Sequence, residues 1–355
     1  MMWGNRRLLC ACGAIVSVAQ PALAANTELT PLADLRLRYE TVDQVGFAKD
    51  SHALTLRARP GLQITSGHWS AIVEGEGTAA PINDYNDGTN GKTAFPLIVD
   101  PRNIELNRAQ IRYEAAPGSG ATLGRQRIEI ADQRFVGSSS FRQNEQTFDA
   151  VRLQAVPAKD LTVDLTYSWS VRTVNGRHGT GPRQQAVGGD NIFALVGYAT
   201  PIGSLGGFAF LVDQDEGEVQ GFRLSSQTYG LRLTGSAPLS KSASLAYSAS
   251  WARQNDYHRN PNDYAAEYRF AEAVLNAKAL TATLGYELLG ADDGVALTSV
   301  QTPLASLFKF QGWADKFTTT PPNGLRDLYG SIGYGWNKVG PTDRIVLSAV
   351  YHRFD

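Results

Sequence analysis

The sequence predicts an all-β protein, an antiparallel β-barrel that spans a membrane, and three observations carry that expectation. An export leader opens the chain. Apolar and polar residues then alternate over runs of up to eleven positions, and the connectors between runs fall into a short and a long class.

The leader reads "MMWGNRRLLCACGAIVSVAQPALAAN", with Arg6 and Arg7 ahead of an apolar run from Leu8 to Ala19 and the small-residue site Ala22-Leu23-Ala24. This is the pattern of a signal peptide over residues 1–24, cut after Ala24, which leaves residues 25–355 for the barrel. The run is shorter than the roughly 18 to 20 apolar residues that cross a bilayer as a helix. Both cysteines, Cys10 and Cys12, fall inside it, so the exported chain is expected to lack disulfides and cysteine-ligated metal.

Charge is balanced, with 33 Lys and Arg against 34 Asp and Glu, so no bulk basic signal points to nucleic acid. The 35 glycines and frequent aromatics favour β structure over helical packing. The clearest run is Leu161, Val163, Leu165, Tyr167, Trp169 and Val171 against Thr162, Asp164, Thr166, Ser168, Ser170 and Arg172. Strands in soluble domains are commonly about five or six residues, whereas a tilted membrane-spanning strand needs about 9 to 11. Length therefore favours a wall in lipid.

The same period of two recurs along the chain. Leu35, Leu37 and Tyr39 alternate with Arg36, Arg38 and Glu40; Leu54, Leu56 and Ala58 with Thr55, Arg57 and Arg59; Trp69, Ala71 and Val73 with Ser70, Ile72 and Glu74. Further on come Ala109, Ile111 and Tyr113 with Arg108, Gln110 and Arg112, then Leu245 to Trp251, Ile332 to Trp336, and Ile345 to Tyr351. Short connectors include Ala116 to Gly120, Val156 to Asp160 and Ser236 to Ala243. The long ones include Ala79 to Asn103, Asn175 to Asp190, Asn255 to Asp263 and Gly290 to Gly324. Tight turns at one end and long loops at the other are the outer-membrane arrangement.

A sheet in lipid must close on itself to satisfy its edge groups, which makes the wall a barrel. About fourteen or fifteen strands are legible before "YHRFD", and an even number is expected of a single-chain bacterial barrel. The ending therefore predicts a C-terminally truncated chain whose full-length wall has about 16–18 strands around an aqueous channel.

The stretch "LGRQRIEIADQRFVGSSSFRQNEQTFDAVRL", Leu123 to Leu153, holds five arginines among glycines and aromatics. In a barrel the polar parity points into water, and there arginine keeps its charge at little cost. On the lipid side at mid-depth it would cost about 2 to 4 kcal/mol. Arg36, Arg38, Arg57, Arg59, Arg108, Arg112, Arg125, Arg127 and Arg152 fall on or near the inward parity, with a bulge expected at Gly124. Such a row attracts anions and holds carboxylates bidentately. Alternatively, the arginines pair with Glu40, Glu74, Glu76, Glu105, Glu114, Glu129 and Asp149 and stiffen the wall; the two readings are compatible.

The same stretch, with Gly-Arg-Gln, Arg-Phe-Val-Gly, an aromatic-Arg-Gln-Asn and Phe-Asp, resembles the alginate export family of outer-membrane porins. So does "LGYELLGADDGVALTSVQTPLASLFKFQGWADKFTTTPPNGLRDLYGSIGYG", with its Gln-Thr-Pro-Leu and Phe-Gln-Gly-Trp-Ala-Asp-Lys-Phe segment, and the likeness runs from about Pro31 to Asp355. It implies a monomeric barrel of about eighteen strands in outer-membrane lipid that passes an anionic uronate polysaccharide outward through an arginine-rich constriction gated by long loops. By motif it singles out Arg125, Arg127, Arg134, Arg142, Asp149 and Arg152. Phe141 and Phe308 depart from the family pattern, which has tryptophan at the first and often histidine at the second.

An anion-preferring or general uptake porin for small solutes is the alternative reading, and a periplasmic export partner is left open. A lipid-acting barrel enzyme finds no Ser-His-acid cluster among five scattered histidines. No cofactor is expected. The acidic stretches Asn83 to Gly91 and Gly290 to Gly294 lack calcium-loop spacing and read as solvated turns. Pro303 to Phe317 breaks the alternation and is expected to fold into the lumen as a plug or gate.

Overall fold

Fifteen antiparallel strands form one sheet in strict sequence order in the computed structural model, which describes residues 27–355. The leader, with Cys10 and Cys12, lies outside the described residues. The strands are β1 (Thr27–Val42), β2 (Ser51–Ser66), β3 (Trp69–Asp84), β4 (Asn103–Ala116), β5 (Ser119–Gln126), β6 (Thr147–Ala158), β7 (Leu161–Arg172) and β8 (Ala186–Thr200). They continue with β9 (Gly203–Val212), β10 (Ser226–Ser240), β11 (Ala243–Asp256), β12 (Ala265–Ala277), β13 (Leu280–Leu289), β14 (Leu325–Val339) and β15 (Thr342–Phe354). Most exceed ten residues, as a tilted crossing requires. Among the described residues no ladder joins β1 to β15.

Every second connector is a two-residue turn, at residues 67–68, 117–118, 159–160, 201–202, 241–242, 278–279 and 340–341. Gly118 sits at φ 74°, a left-handed conformation that costs glycine nothing. All other connectors are longer and emerge at the opposite end. Three of these, 43–50, 127–146 and 213–225, are not among the loops named from the sequence, and 127–146 carries the same mix of arginine and aromatic residues as the strands beside it.

The alternation sorts as expected. Leu35 (77% exposed), Leu37, Leu284 and Ile332 form an outer apolar face, while Arg57, Glu74, Thr166 and Glu287 on the other parity are buried. Outer aromatics gather at two levels, with Trp69, Tyr113, Tyr334 and Trp336 towards the tight turns and Tyr39, Tyr167, Tyr229 and Trp251 towards the long loops. That is the spacing of two interfacial girdles.

Alternation fails at the end of β7. A register shift between Ser168 and Ser170 turns Val171 inward, where it is 3% exposed, instead of continuing the outer row of Tyr167 and Trp169. It joins Phe148, Phe193 and Phe210 beneath Ile128, Ile130, Val136 and Leu304. Loops 127–146 and 290–324 therefore fill part of the barrel interior with a small hydrophobic core, and Phe135, packed on Phe208 and Phe210 of β9, links it to Tyr268 on β12. Within residues 303–317, Leu304 packs in this core, Gln311 bonds inward Glu287, and short 3-10 turns form at Leu307–Lys309 and Gln311–Trp313.

Candidate functional site

The inner face of β1 to β4 is a charged ladder. Arg57 meets Asp34 at 2.7 Å, Arg59 meets Glu76 at 2.6 Å and Glu145 at 3.7 Å, and Arg108 grips Glu74 with two bonds of 2.9 and 2.6 Å. Arg38 bonds Glu40 and Asp100. The wall-stiffening partners Glu40, Glu74 and Glu76 are thus engaged as the sequence allows. Asp34, Asp100 and Glu145 were missed, since the last two come from loops whose return to the wall no local pattern announces.

Arg36 differs from its neighbours. Its guanidinium donates to the Ser140 carbonyl at 3.0 Å, and no carboxylate lies within 4.0 Å of it among the described residues. Arg112 likewise binds neutral partners, Thr122 at 3.2 Å and Gln154 at 3.1 Å, with Glu114 no closer than 3.9 Å.

Loop 127–146 is stitched across this ladder by buried neutral side chains. Gln143 donates to the Thr55 hydroxyl at 2.8 Å, and Thr78 donates to Asn144 at 2.8 Å. Asn107, set inward beside Arg108 by a bulge in β4, donates to both Glu74 (2.8 Å) and Glu145 (2.9 Å). Arg127 holds Glu145 at 2.6 Å. Each buried polar atom so satisfied avoids a desolvation cost of about 1 to 3 kcal/mol.

Two sequence-selected arginines serve the loops themselves. Arg134 is 2% exposed, bonds Glu287 of β13 at 2.7 Å and Thr302 at 3.3 Å, and sits over the Phe310 ring. It fixes one inward loop to the other and to the wall, away from open solvent. Arg142 reaches Glu40 at 3.4 Å and bonds Asp315 of loop 290–324. Burial pulls its pKa down, Asp315, Asp100 and Glu40 push it up, and the net is upward.

Arg142 also borders a cavity of about 1000 Å³ at the long-loop end, lined by Glu40, Phe47, Ser140, Arg183, Lys309 and Lys316 among others. Two of its lining residues, Phe141 and Phe308, stack with planes 5° apart. The Arg38 guanidinium lies 4.0 Å from the Phe141 ring centre and that of Arg142 5.4 Å from it. The two departures from the family pattern thus pack against each other.

On β5 to β7 the expectation needs one correction. Arg152 faces inward and bonds Asp164 at 2.9 Å. Arg125 and Asp149 pair with each other at 2.7 Å, but their register partner Ala109 shares the parity of outward Ile111, and their neighbours Leu123 and Val151 are outward too. Both residues therefore lie on the outer face near the long-loop end, not on the lumen side. Gly124, at φ 114°, keeps its inward place against Gln110 and does not shift the register.

A family model for alginate export matches residues 29–290, more than half of the 355-residue chain. The chain belongs to the alginate export family. It is accordingly an outer-membrane β-barrel channel rather than an enzyme. Curated proteins give no match. Among solved structures this family member is similar to Acinetobacter baumannii OccAB2, at 12% identity and TM-score 0.63 over 93% of this chain and 92% of that one. It is also similar to A. baumannii OccAB1, at 13% and 0.61 over 92% and 91%. A third is Pseudomonas aeruginosa OccK2 (OpdF) solved in complex with glucuronate, at 14% and 0.56 over 93% and 92%. At such identities the likeness is one of fold.

Proposed function

We propose that this channel passes an anionic, uronate-type polysaccharide, and that Arg36, with Arg112 deeper along the wall, supplies most of its electropositive field beside the carboxylate-paired Arg38, Arg142 and Arg152. The observation that carries this reading is Arg36, an inward cation with no carboxylate partner, 5.8 Å from the ring of Phe141 in the aromatic pair that lines the cavity. Paired arginines contribute less field, because their carboxylates cancel most of it beyond roughly 8 Å at physiological salt. A uronate carboxylate can engage a free guanidinium through two parallel bonds, and a sugar ring can lie on the Phe face.

Membership of the alginate export family and the glucuronate held by OccK2 both support a uronate cargo. The channel is proposed to act as a monomer, taking polymer from a periplasmic partner. A second reading, an anion-preferring porin for small solutes, draws on the stacked Phe141 and Phe308, which leave little width for a polymer while they touch. Planar-bilayer conductance with and without oligouronates separates them. A polymer conduit is blocked more strongly as chain length rises, whereas a small-solute porin responds equally to monomer and oligomer.

A further inference from the structure

The outer face of β11 to β15 carries arginines that the channel reading does not use. Ladder register sets Trp251, Arg269, Leu288 and Arg326 in one outward row across four strands. Arg253 stands opposite Glu267 one step towards the long loops, and Arg353 opposite Leu328 one step below. Arg269 bonds Glu267, and Arg353 lies 3.8 Å from Asp355. Arg253 and Arg326 have no carboxylate within 4.0 Å among the described residues, so the patch keeps a cationic surplus.

Its surroundings are apolar. Leu328, Tyr351 and Ile332 continue the lipid-facing wall below, and Tyr229 and Trp251 flank it at girdle height. An outward arginine is unfavourable at the bilayer midplane and nearly free at the interface, which is where these four stand, within a few residues of the long-loop ends of their strands. With strands roughly 4.8 Å apart, Arg269 and Arg326 flank Leu288 at about 10 Å, close enough for two guanidinium forks to converge on one headgroup. The contrast is Arg125, whose guanidinium is held two-handed by Asp149.

We propose that this patch binds a phosphorylated glycolipid of the outer leaflet, its phosphates on Arg253, Arg269 and Arg326 and its acyl chains along Leu328, Ile332 and Tyr351. A phosphate matches the bidentate arginine fork, and the apolar wall directly beneath suits an amphiphile better than a free anion. Long loops outward place the patch in the outer leaflet.

The test uses the full chain, purified in detergent and incubated with bis-phosphorylated lipid A, its dephosphorylated form, or a zwitterionic phospholipid, with bound lipid counted by native mass spectrometry. Wild type is expected to retain lipid A at least ten-fold over the other two. R253Q/R269Q/R326Q is expected to lose that preference, and the corresponding triple lysine variant to recover part of it. Equal retention by the glutamine variant, or equal binding of dephosphorylated lipid, overturns the proposal, as does displacement by inorganic phosphate at concentrations matching the lipid. Should the triple variant fail to fold, R253Q and R326Q singly, each scored on heat-modifiable protein, give the same comparison. Single-channel conductance is expected to be unchanged in all of them, which separates this site from the uronate path.

Discussion

Phe141 and Phe308 stack with planes 5° apart although they come from two loops separated by eight strands, so the two inward loops meet at one aromatic contact. Around it Arg38 and Arg142 add cation–π contacts. Both rings line the cavity at the long-loop end, and the pair is proposed to act there as a gate. Replacing either phenylalanine by alanine is expected to raise single-channel conductance and lengthen open dwell times. A double-mutant cycle on loop stability is expected to return a coupling of about 0.5 to 1.5 kcal/mol, the usual range for an aromatic pair. Unchanged conductance in F141A/F308A would remove the gate from the account.

Arg134 and Glu287 anchor the loop that carries Phe141, as a buried pair in which Tyr268 also donates to Glu287 at 2.9 Å. Removing one partner leaves an uncompensated buried charge at a cost of about 3 to 5 kcal/mol, while replacing both by apolar groups costs far less. R134M is therefore expected to release loop 127–146, seen as faster proteolysis within it while the barrel keeps its heat-modifiable mobility. R134M/E287L is expected to restore protection. Equal protease sensitivity of the single and double variants would mean that the pair does not hold the loop.

Asp100 supplies a pH dependence with a defined sign. Burial raises its pKa, Arg38, Arg142 and the Gln143 N–H pull it down, and the net is upward from 3.8. It is thus neutralised at a higher pH than an ordinary aspartate. Because the folded value exceeds the unfolded one, this group's contribution to stability is flat at high pH and improves as pH falls through the folded value. Losing its charge leaves Arg38 with Glu40 as its remaining carboxylate, so anion preference is expected to rise on acidification. Reversal potentials across a salt gradient, measured over a pH series, check this. The D100N variant is expected to flatten that rise, and an unaltered profile would assign it to other groups.

Much of this was legible from periodicity because a membrane wall imposes one rule on every strand, apolar outside and polar inside. Leu35 to Tyr39 and the tight turns obey it without reference to anything distant. Legibility ends where the interior is filled by protein instead of water. Phe148, Phe193 and Phe210 occupy inward positions because loops 127–146 and 290–324 need a core, and nothing local announces loops that fold back. Bulges are the second obstacle. One register step turned Val171 inward, and a bulge expected at Gly124 that does not form left Arg125 outward. The arginine-rich stretch was recognised as important, but its five arginines divide among an outer-face pair, a loop clasp, a loop anchor, a cavity wall and an inner ladder.

That division changes which substitutions should alter selectivity. Arg36 faces inward without a carboxylate, and Arg112 has one only at 3.9 Å, so both keep most of their field. Arg125 faces outward and is neutralised by Asp149. R36Q/R112Q is expected to move the reversal potential towards cations and weaken block by oligouronate, most clearly at low salt, where the field reaches beyond roughly 10 Å before it is screened. Each single change should act mildly, since the neighbouring arginines of the ladder remain. R36K/R112K keeps the charge and loses the bidentate fork, so it is expected to hold anion preference while binding polymer less well. R125Q is expected to leave selectivity where it is and to lower barrel stability instead, because Asp149 would then stand unpaired on the outer face. If R125Q shifts the reversal potential as far as R36Q/R112Q does, with both inserting normally, the inward and outward assignments of these arginines are reversed and the uronate path must lie elsewhere.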